Sequence, residues 1–113
     1  MQSYQLYIHL SQDAEIQIGK LGSFTFCKGT YIYTGSAKRN IESRIRRHFS
    51  ENKKLHWHID YLLDNDNTSI IKSVKSVIDE CNLNSSIKGK IAVQGFGSSD
   101  CKNKCQSHLR LVN

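Results

Sequence analysis

The sequence predicts an α+β fold: a small antiparallel or mixed β-sheet flanked by about three helices. Three observations predict it. Within residues 4–34, short segments separated by turns alternate with the two-residue period of strands. At Ile41 the period changes, and Ile41, Ile45 and Phe49 fall at i, i+4 and i+8, one stripe of a helix. A length of 113 residues accommodates one modest core, so the chain reads as a single domain, 1–113.

The elements follow in order. Tyr4 to Leu10 alternate as a first strand, and Ile16 and Ile18 continue the pattern. Lys20-Leu21-Gly22-Ser23 reads as a turn, after which Phe24 and Phe26 resume the period. A second turn at Lys28-Gly29 leads into a strand from Tyr31 to Thr34 that stops at Gly35, so the first third reads as one small antiparallel sheet. Asn40 has the short polar side chain of an N-cap, and Glu42 puts a negative charge in the first helical turn, where the dipole favours it. A second helix is expected from about His56 to Leu63, ended by Asn65-Asp66-Asn67. Ser69 to Val77 fits either period, and its β-branched content favours a strand. A short third helix is expected to start near Asp79 and run past Glu80. Ile91–Val93 reads as a strand, 95–100 as a glycine-serine loop, and Ser107–Val112 as an edge strand.

Composition narrows the partners. Sixteen Lys and Arg against ten Asp and Glu give a formal net charge of +6, which favours a polyanion, nucleic acid first. No apolar run approaches the roughly 20 residues that span a bilayer. Met1-Gln2-Ser3-Tyr4 leads straight into the alternating pattern, so no export signal and a cytoplasmic location are expected. In that compartment the four cysteines read as thiols or metal ligands rather than disulfides. The chain has no proline.

The basic residues cluster after the Tyr31–Thr34 strand. Lys38 and Arg39 precede the first helix, which carries Arg44, Arg46, Arg47 and His48. Arg44 and His48 share a helix face. A tyrosine hydroxyl at the end of the Tyr31–Thr34 strand, facing such a helix, suits phosphate binding. The phenol both donates and accepts, and a guanidinium fits two phosphate oxygens at once. Each residue also has a plainer reading, as an aromatic strand residue or a solvated helix charge. His56, His58 and Asp60 would share a face on a strand but diverge on a helix, so the helical reading disfavours chelation by the three. His58 is instead expected at a substrate cleft. Cys81, Cys101, Cys105 and His108 could make a Cys₃His set for structural Zn²⁺, but small buried thiols are the favoured reading.

Several segments resemble the GIY-YIG nuclease superfamily. Tyr33-Thr34-Gly35 and the helix Arg44-Ile45-Arg46-Arg47-His48 are similar to its second motif and its arginine helix. The runs His56-Trp57-His58-Ile59-Asp60-Tyr61-Leu62-Leu63, Glu80-Cys81, Gly95-Phe96-Gly97-Ser98-Ser99-Asp100-Cys101 and Ser107-His108-Leu109 resemble the compact Uri-type branch, a domain also found fused to endonuclease III-like repair proteins. The resemblance departs at Gln2-Ser3-Tyr4, where the first motif loses its glycine, and at Thr34, which replaces an aliphatic residue; Tyr7 rivals Tyr4 for the first tyrosine. It implies a divalent-metal-dependent endonuclease that hydrolyses phosphodiester bonds, in DNA before RNA. By the same resemblance Tyr33 is a base or water-orienting group supported by Tyr4. Arg44 binds the scissile phosphate with His48 assisting, and Glu80 holds Mg²⁺ or Mn²⁺. Lys38, Arg39, Arg46, Arg47 and His58 are the expected nucleic-acid contacts. The alternative is a nucleic-acid-binding module that does not cleave.

Overall fold

The computed structural model describes residues 2–37, 39–51, 53–97 and 106–112. The first strand, β1 (Ser3–Leu10), is joined by a hairpin, β2 (Ala14–Ile18) and β3 (Gly22–Phe26), to β4 (Gly29–Ser36). Helices α1 (Ile41–Phe49) and α2 (His58–Leu63) lead to β5 (Thr68–Ser76). Helix α3 (Glu80–Ser85) precedes β6 (Lys90–Ile91) and β7 (Leu109–Leu111). The α+β class predicted from the alternation and its change of period is therefore the observed one.

The strands do not form one sheet in the first third. β1 takes β4 on one side and β5 on the other, both antiparallel, so neither of its edges is left for the hairpin. β2 and β3 pair only with each other, and the main sheet has the order β5-β1-β4-β7-β6. The last strand, expected at an edge, lies inside the sheet between β4 and β6. The expected strand Ile91–Val93 shortens to Lys90–Ile91. Val93 is buried in the turn that follows, where Phe96 N–H donates to its carbonyl.

The register explains the core. Tyr33 stands opposite Leu6 and Tyr31 opposite Ile8, so Tyr4, Leu6, Ile8, Tyr31 and Tyr33 share one face. They join Ile16, Ile18 and Phe26 of the hairpin and Ile45, Ile59 and Leu62 of the helices in one buried cluster. On α1 the buried face is turned from the predicted stripe: Ile45 and His48 are inside and Phe49 is half exposed. β5 is an exposed edge strand, with Ile71 skipped by the β1 ladder at a bulge.

Helix ends follow side-chain chemistry. Asn40 caps α1 by accepting the N–H of Ser43, and Asp79 caps α3 by accepting those of Cys81 and Asn82. α2 begins two residues later than predicted. Trp57 is extended, and the Asp60 carboxylate accepts the N–H groups of both His56 and Trp57, which closes the helix start at His58. Among the described residues, no helix is long and apolar enough to cross a membrane.

Candidate active site

One end of the sheet and three helix starts converge on a cleft of about 420 Å³. Tyr4 and Tyr33 form its floor, Ser36 and Arg44 one wall, His56, Trp57 and His58 another, and Glu80, Gly97 and His108 the rest. Tyr4 rather than Tyr7 enters the cleft, because the two alternate across β1. Tyr7 lies on the other face of the sheet beneath the Lys72 ammonium, 4.5 Å from its ring centre.

Space for the two phenols comes from two glycines. Gly35 stands opposite Tyr4, and a Cβ there would lie 2.6 Å from the Tyr4 hydroxyl. Gly97 has φ of +66°, a left-handed conformation, and a Cβ there would meet the Tyr33 ring at 3.1 Å. The Tyr33 ring is held by Tyr4, His48 and Phe96, with centroids 6.4, 6.1 and 6.4 Å away. Its hydroxyl makes no hydrogen bond to any described protein group, which leaves it to water or a ligand.

Burial sets the protonation of the floor. It pushes the Tyr33 phenol well above the ordinary tyrosine range; Glu80 and Asp60 push the same way, and Arg44 opposes them without prevailing. Tyr4 is raised likewise, first by burial and then by Tyr33, Glu80 and Asp60 against Arg44. Both are neutral hydroxyls at physiological pH. Burial also drives His48 down to about 4, so its imidazole is neutral.

Arg44 crosses the wall with one guanidinium nitrogen donating to the Ser36 carbonyl at 2.7 Å. The Glu80 carboxylate accepts from Ser36 Oγ at 2.9 Å through one oxygen and from His108 Nδ1 at 2.8 Å through the other. Its side chain is 26% exposed, enough to meet a ligand in the cleft. His58 Nδ1 accepts the N–H of Gly97 at 2.9 Å, so the neutral ring carries its proton on Nε2. Burial lowers the His58 pKa and keeps that form.

A family model described as domain of unknown function DUF123 matches residues 3–113. The chain belongs to that family. No curated protein matches it, and no solved structure does.

Of the residues singled out from the sequence, Tyr4, Tyr33, Arg44, Glu80 and His58 gather in the cleft. His48 does not line it. It lies behind Tyr4, 2% exposed, and its Nε2 shares a 2.6 Å hydrogen bond with the Tyr4 hydroxyl. It can therefore act on a ligand in this cleft only through Tyr4. Arg47 is directed away from the cleft, with both guanidinium branches on the fully buried Asp60 carboxylate at 2.8 and 3.0 Å. Burial raises the Asp60 pKa, but the hydrogen bonds from Arg47 and from the Trp57 and His56 N–H groups outweigh it and hold the carboxyl below the ordinary range. Among the described residues Asp60 forms no metal-binding group with the His56 and His58 imidazoles. Arg39 and Arg46 are exposed on the approach to α1 and on α1 itself; Lys38 lies outside the described residues.

The Cys₃His set weighed for zinc, and disfavoured, falls partly outside the described residues as well, since Cys101 and Cys105 are not among them. Within them His108 turns its Nδ1 to Glu80, and no group of three or more His, Cys, Asp or Glu gathers around one point. Glu80 is the one carboxylate among the described residues lining the cleft. Each of its oxygens accepts one hydrogen bond and retains a second lone pair. A single hard oxygen ligand fits Mg²⁺, which keeps most of its waters and takes one or two carboxylates plus substrate phosphate. Sequence reasoning gave no role to Ser36 or Trp57 and considered His108 only as a member of a disfavoured zinc set. The signal for Ser36 was its position directly after Tyr33-Thr34-Gly35.

Proposed function

We propose that this protein is a metal-dependent endonuclease of the GIY-YIG type, close to its Uri-type branch, that hydrolyses phosphodiester bonds in nucleic acid, DNA before RNA. The observation that carries the reading is the meeting of two neutral phenols, one arginine and one carboxylate in a single cleft. The net charge of +6 and the exposed Arg39 and Arg46 supply attraction for the backbone beyond the cleft. A cytoplasmic location goes with the proposal, as does the exposed Cys27 thiol.

Arg44 keeps four of its five N–H donors for phosphate oxygens while Ser36 fixes the fifth. Tyr33, neutral and without a protein partner among the described residues, orients the attacking water through its hydroxyl. Tyr4, tied to His48, packs beside it and holds that ring in place. His58 donates from Nε2 to a phosphate or sugar oxygen. Glu80 would hold Mg²⁺ or Mn²⁺, which when bound lowers the pKa of water and offsets charge on the phosphate. Water attack leaves a 5′-phosphate and a 3′-hydroxyl, as the resemblance implies.

The hydrogen bonds of Glu80 to Ser36 and His108 favour a second reading, a nucleic-acid binder that does not cleave. One experiment separates the two. Labelled single-stranded and duplex DNA and RNA are incubated with Mg²⁺, Mn²⁺ or EDTA, using wild type and Glu80→Ala. The nuclease reading expects cleavage with metal, none in EDTA, and none by Glu80→Ala although it still binds. Binding without cleavage under every condition selects the second reading, and cleavage in EDTA equal to that in Mg²⁺ removes the metal mechanism.

A further inference from the structure

The chain has one tryptophan, and it stands between two arginines with different duties. The Cζ atoms of Arg44 and Arg47 lie 4.6 and 4.4 Å from the centre of the Trp57 ring. Arg47 is fixed by its two hydrogen bonds to Asp60 and a third to the Lys54 carbonyl. Asp60 is fully buried and also accepts the backbone N–H of Trp57, so one carboxylate anchors both the backbone and one neighbour of the indole. The ring is a rigid platform set by groups outside the cleft.

Arg44 is the group that needs such a platform. Its side chain is long, and a single hydrogen bond to the Ser36 carbonyl leaves the guanidinium plane free to turn. A second contact on the indole face fixes that plane. A carboxylate would fix it as well, but it would compete with phosphate and cancel the charge that attracts it. An aromatic face orients the cation without cancelling its charge. The contrast is present within the same cluster: Arg47 is neutralised by Asp60, whereas Arg44 makes no ion pair among the described residues.

We infer that Trp57 is a positioning residue that holds the Arg44 guanidinium ready for phosphate; the inference rests on the nuclease reading. Trp57 then acts on the ligand through Arg44.

The test is a double-mutant cycle read by equilibrium binding of fluorescein-labelled DNA and RNA oligonucleotides, single-stranded and duplex, in EDTA. Trp57→Leu is expected to weaken binding about 5-fold, the scale of a partly desolvated cation–π contact. In an Arg44→Ala background it is expected to weaken binding no further, and Trp57→Phe to recover most of the loss. Trp57 also reports on itself: Arg44→Ala uncovers its ring, and the indole emission is expected to move to longer wavelength. If Trp57→Leu does not fold, the emission shift and the Trp57→Phe binding carry the test. Additive losses, or unchanged emission in Arg44→Ala, overturn the inference and leave the nuclease reading standing. A wild type that binds neither DNA nor RNA overturns both.

Discussion

Tyr33→Phe removes one oxygen from the floor of the cleft and leaves everything that holds the ring. Tyr33 is 8% exposed, and its ring is packed by Tyr4, His48, Phe96 and Gly97, all of which a phenylalanine keeps. The lost hydroxyl has no partner among the described protein groups, so no internal hydrogen bond is broken. Stability is expected to change by less than about 1 kcal/mol. For a chain of this size that is a shift in Tm of under about 5 °C. Tyr4→Phe is the control. It strips His48 Nε2 of its partner in the interior, which costs about 1–3 kcal/mol. If Tyr33 orients the attacking water, single-turnover cleavage by Tyr33→Phe is expected to fall by roughly 10²–10⁴. Binding in EDTA is expected to stay near wild type, since Arg44 holds the phosphate. Because burial raises the Tyr33 pKa, the wild-type rate is expected to show no limb rising through the ordinary tyrosine range near pH 10. Full activity in a folded Tyr33→Phe protein would refute the assignment. A rate that rises with an apparent pKa near 10 in wild type, and not in the variant, would refute the neutral-hydroxyl argument while keeping the residue.

Arg47→Ala leaves the Asp60 carboxylate buried without its cation and is expected to destabilise the protein by about 3 kcal/mol in denaturant titrations. The slope of log affinity against log salt is expected to stay unchanged in that variant, whereas Arg44→Ala lowers its magnitude by about 1. The folded pKa of His48, about 4, lies below the unfolded value of 6.5, so between those limits the unfolded chain binds a proton that the folded one does not. Stability is therefore expected to fall as pH drops through that window, by up to about 3 kcal/mol, and His48→Gln to flatten the curve of denaturation midpoint against pH.

What was legible in the sequence is what local pattern controls. Alternation located β1 to β4, and Asn40 was readable as the cap of α1. Tyr33 and Arg44 were readable as candidates from side-chain chemistry together with the resemblance to known motifs, and Glu80 from the resemblance alone. What escaped is long-range. Nothing near Leu109 reveals that it pairs with Tyr33 in mid-sheet, since strand order depends on which edges the other strands leave open. Arg47 and Arg44 are three residues apart on one helix, and only the fold separates them: Arg47 meets a buried carboxylate and Arg44 an open cleft. His48 is polar, and its burial depends on a partner, Tyr4, at the other end of the chain segment. His108 was read with the nearby cysteines because a sequence shows its neighbours in order, not the Glu80 carboxylate it meets in space.

The insertion of β7 between β4 and β6 also dictates an order of assembly. Strand β4 leaves the ribosome with residue 36, but the strand that covers its outer edge is residues 109–111. At 5–20 residues per second the intervening chain takes roughly 4–15 s to emerge. Throughout that interval the Tyr31–Tyr33 edge presents unpaired backbone groups, a template for another nascent chain to join. His108, which borders the cleft just before β7, arrives at the same late moment. A partly synthesised chain thus carries the tyrosine and the arginine without the histidine that holds Glu80 in place, so the site is completed only when the sheet closes.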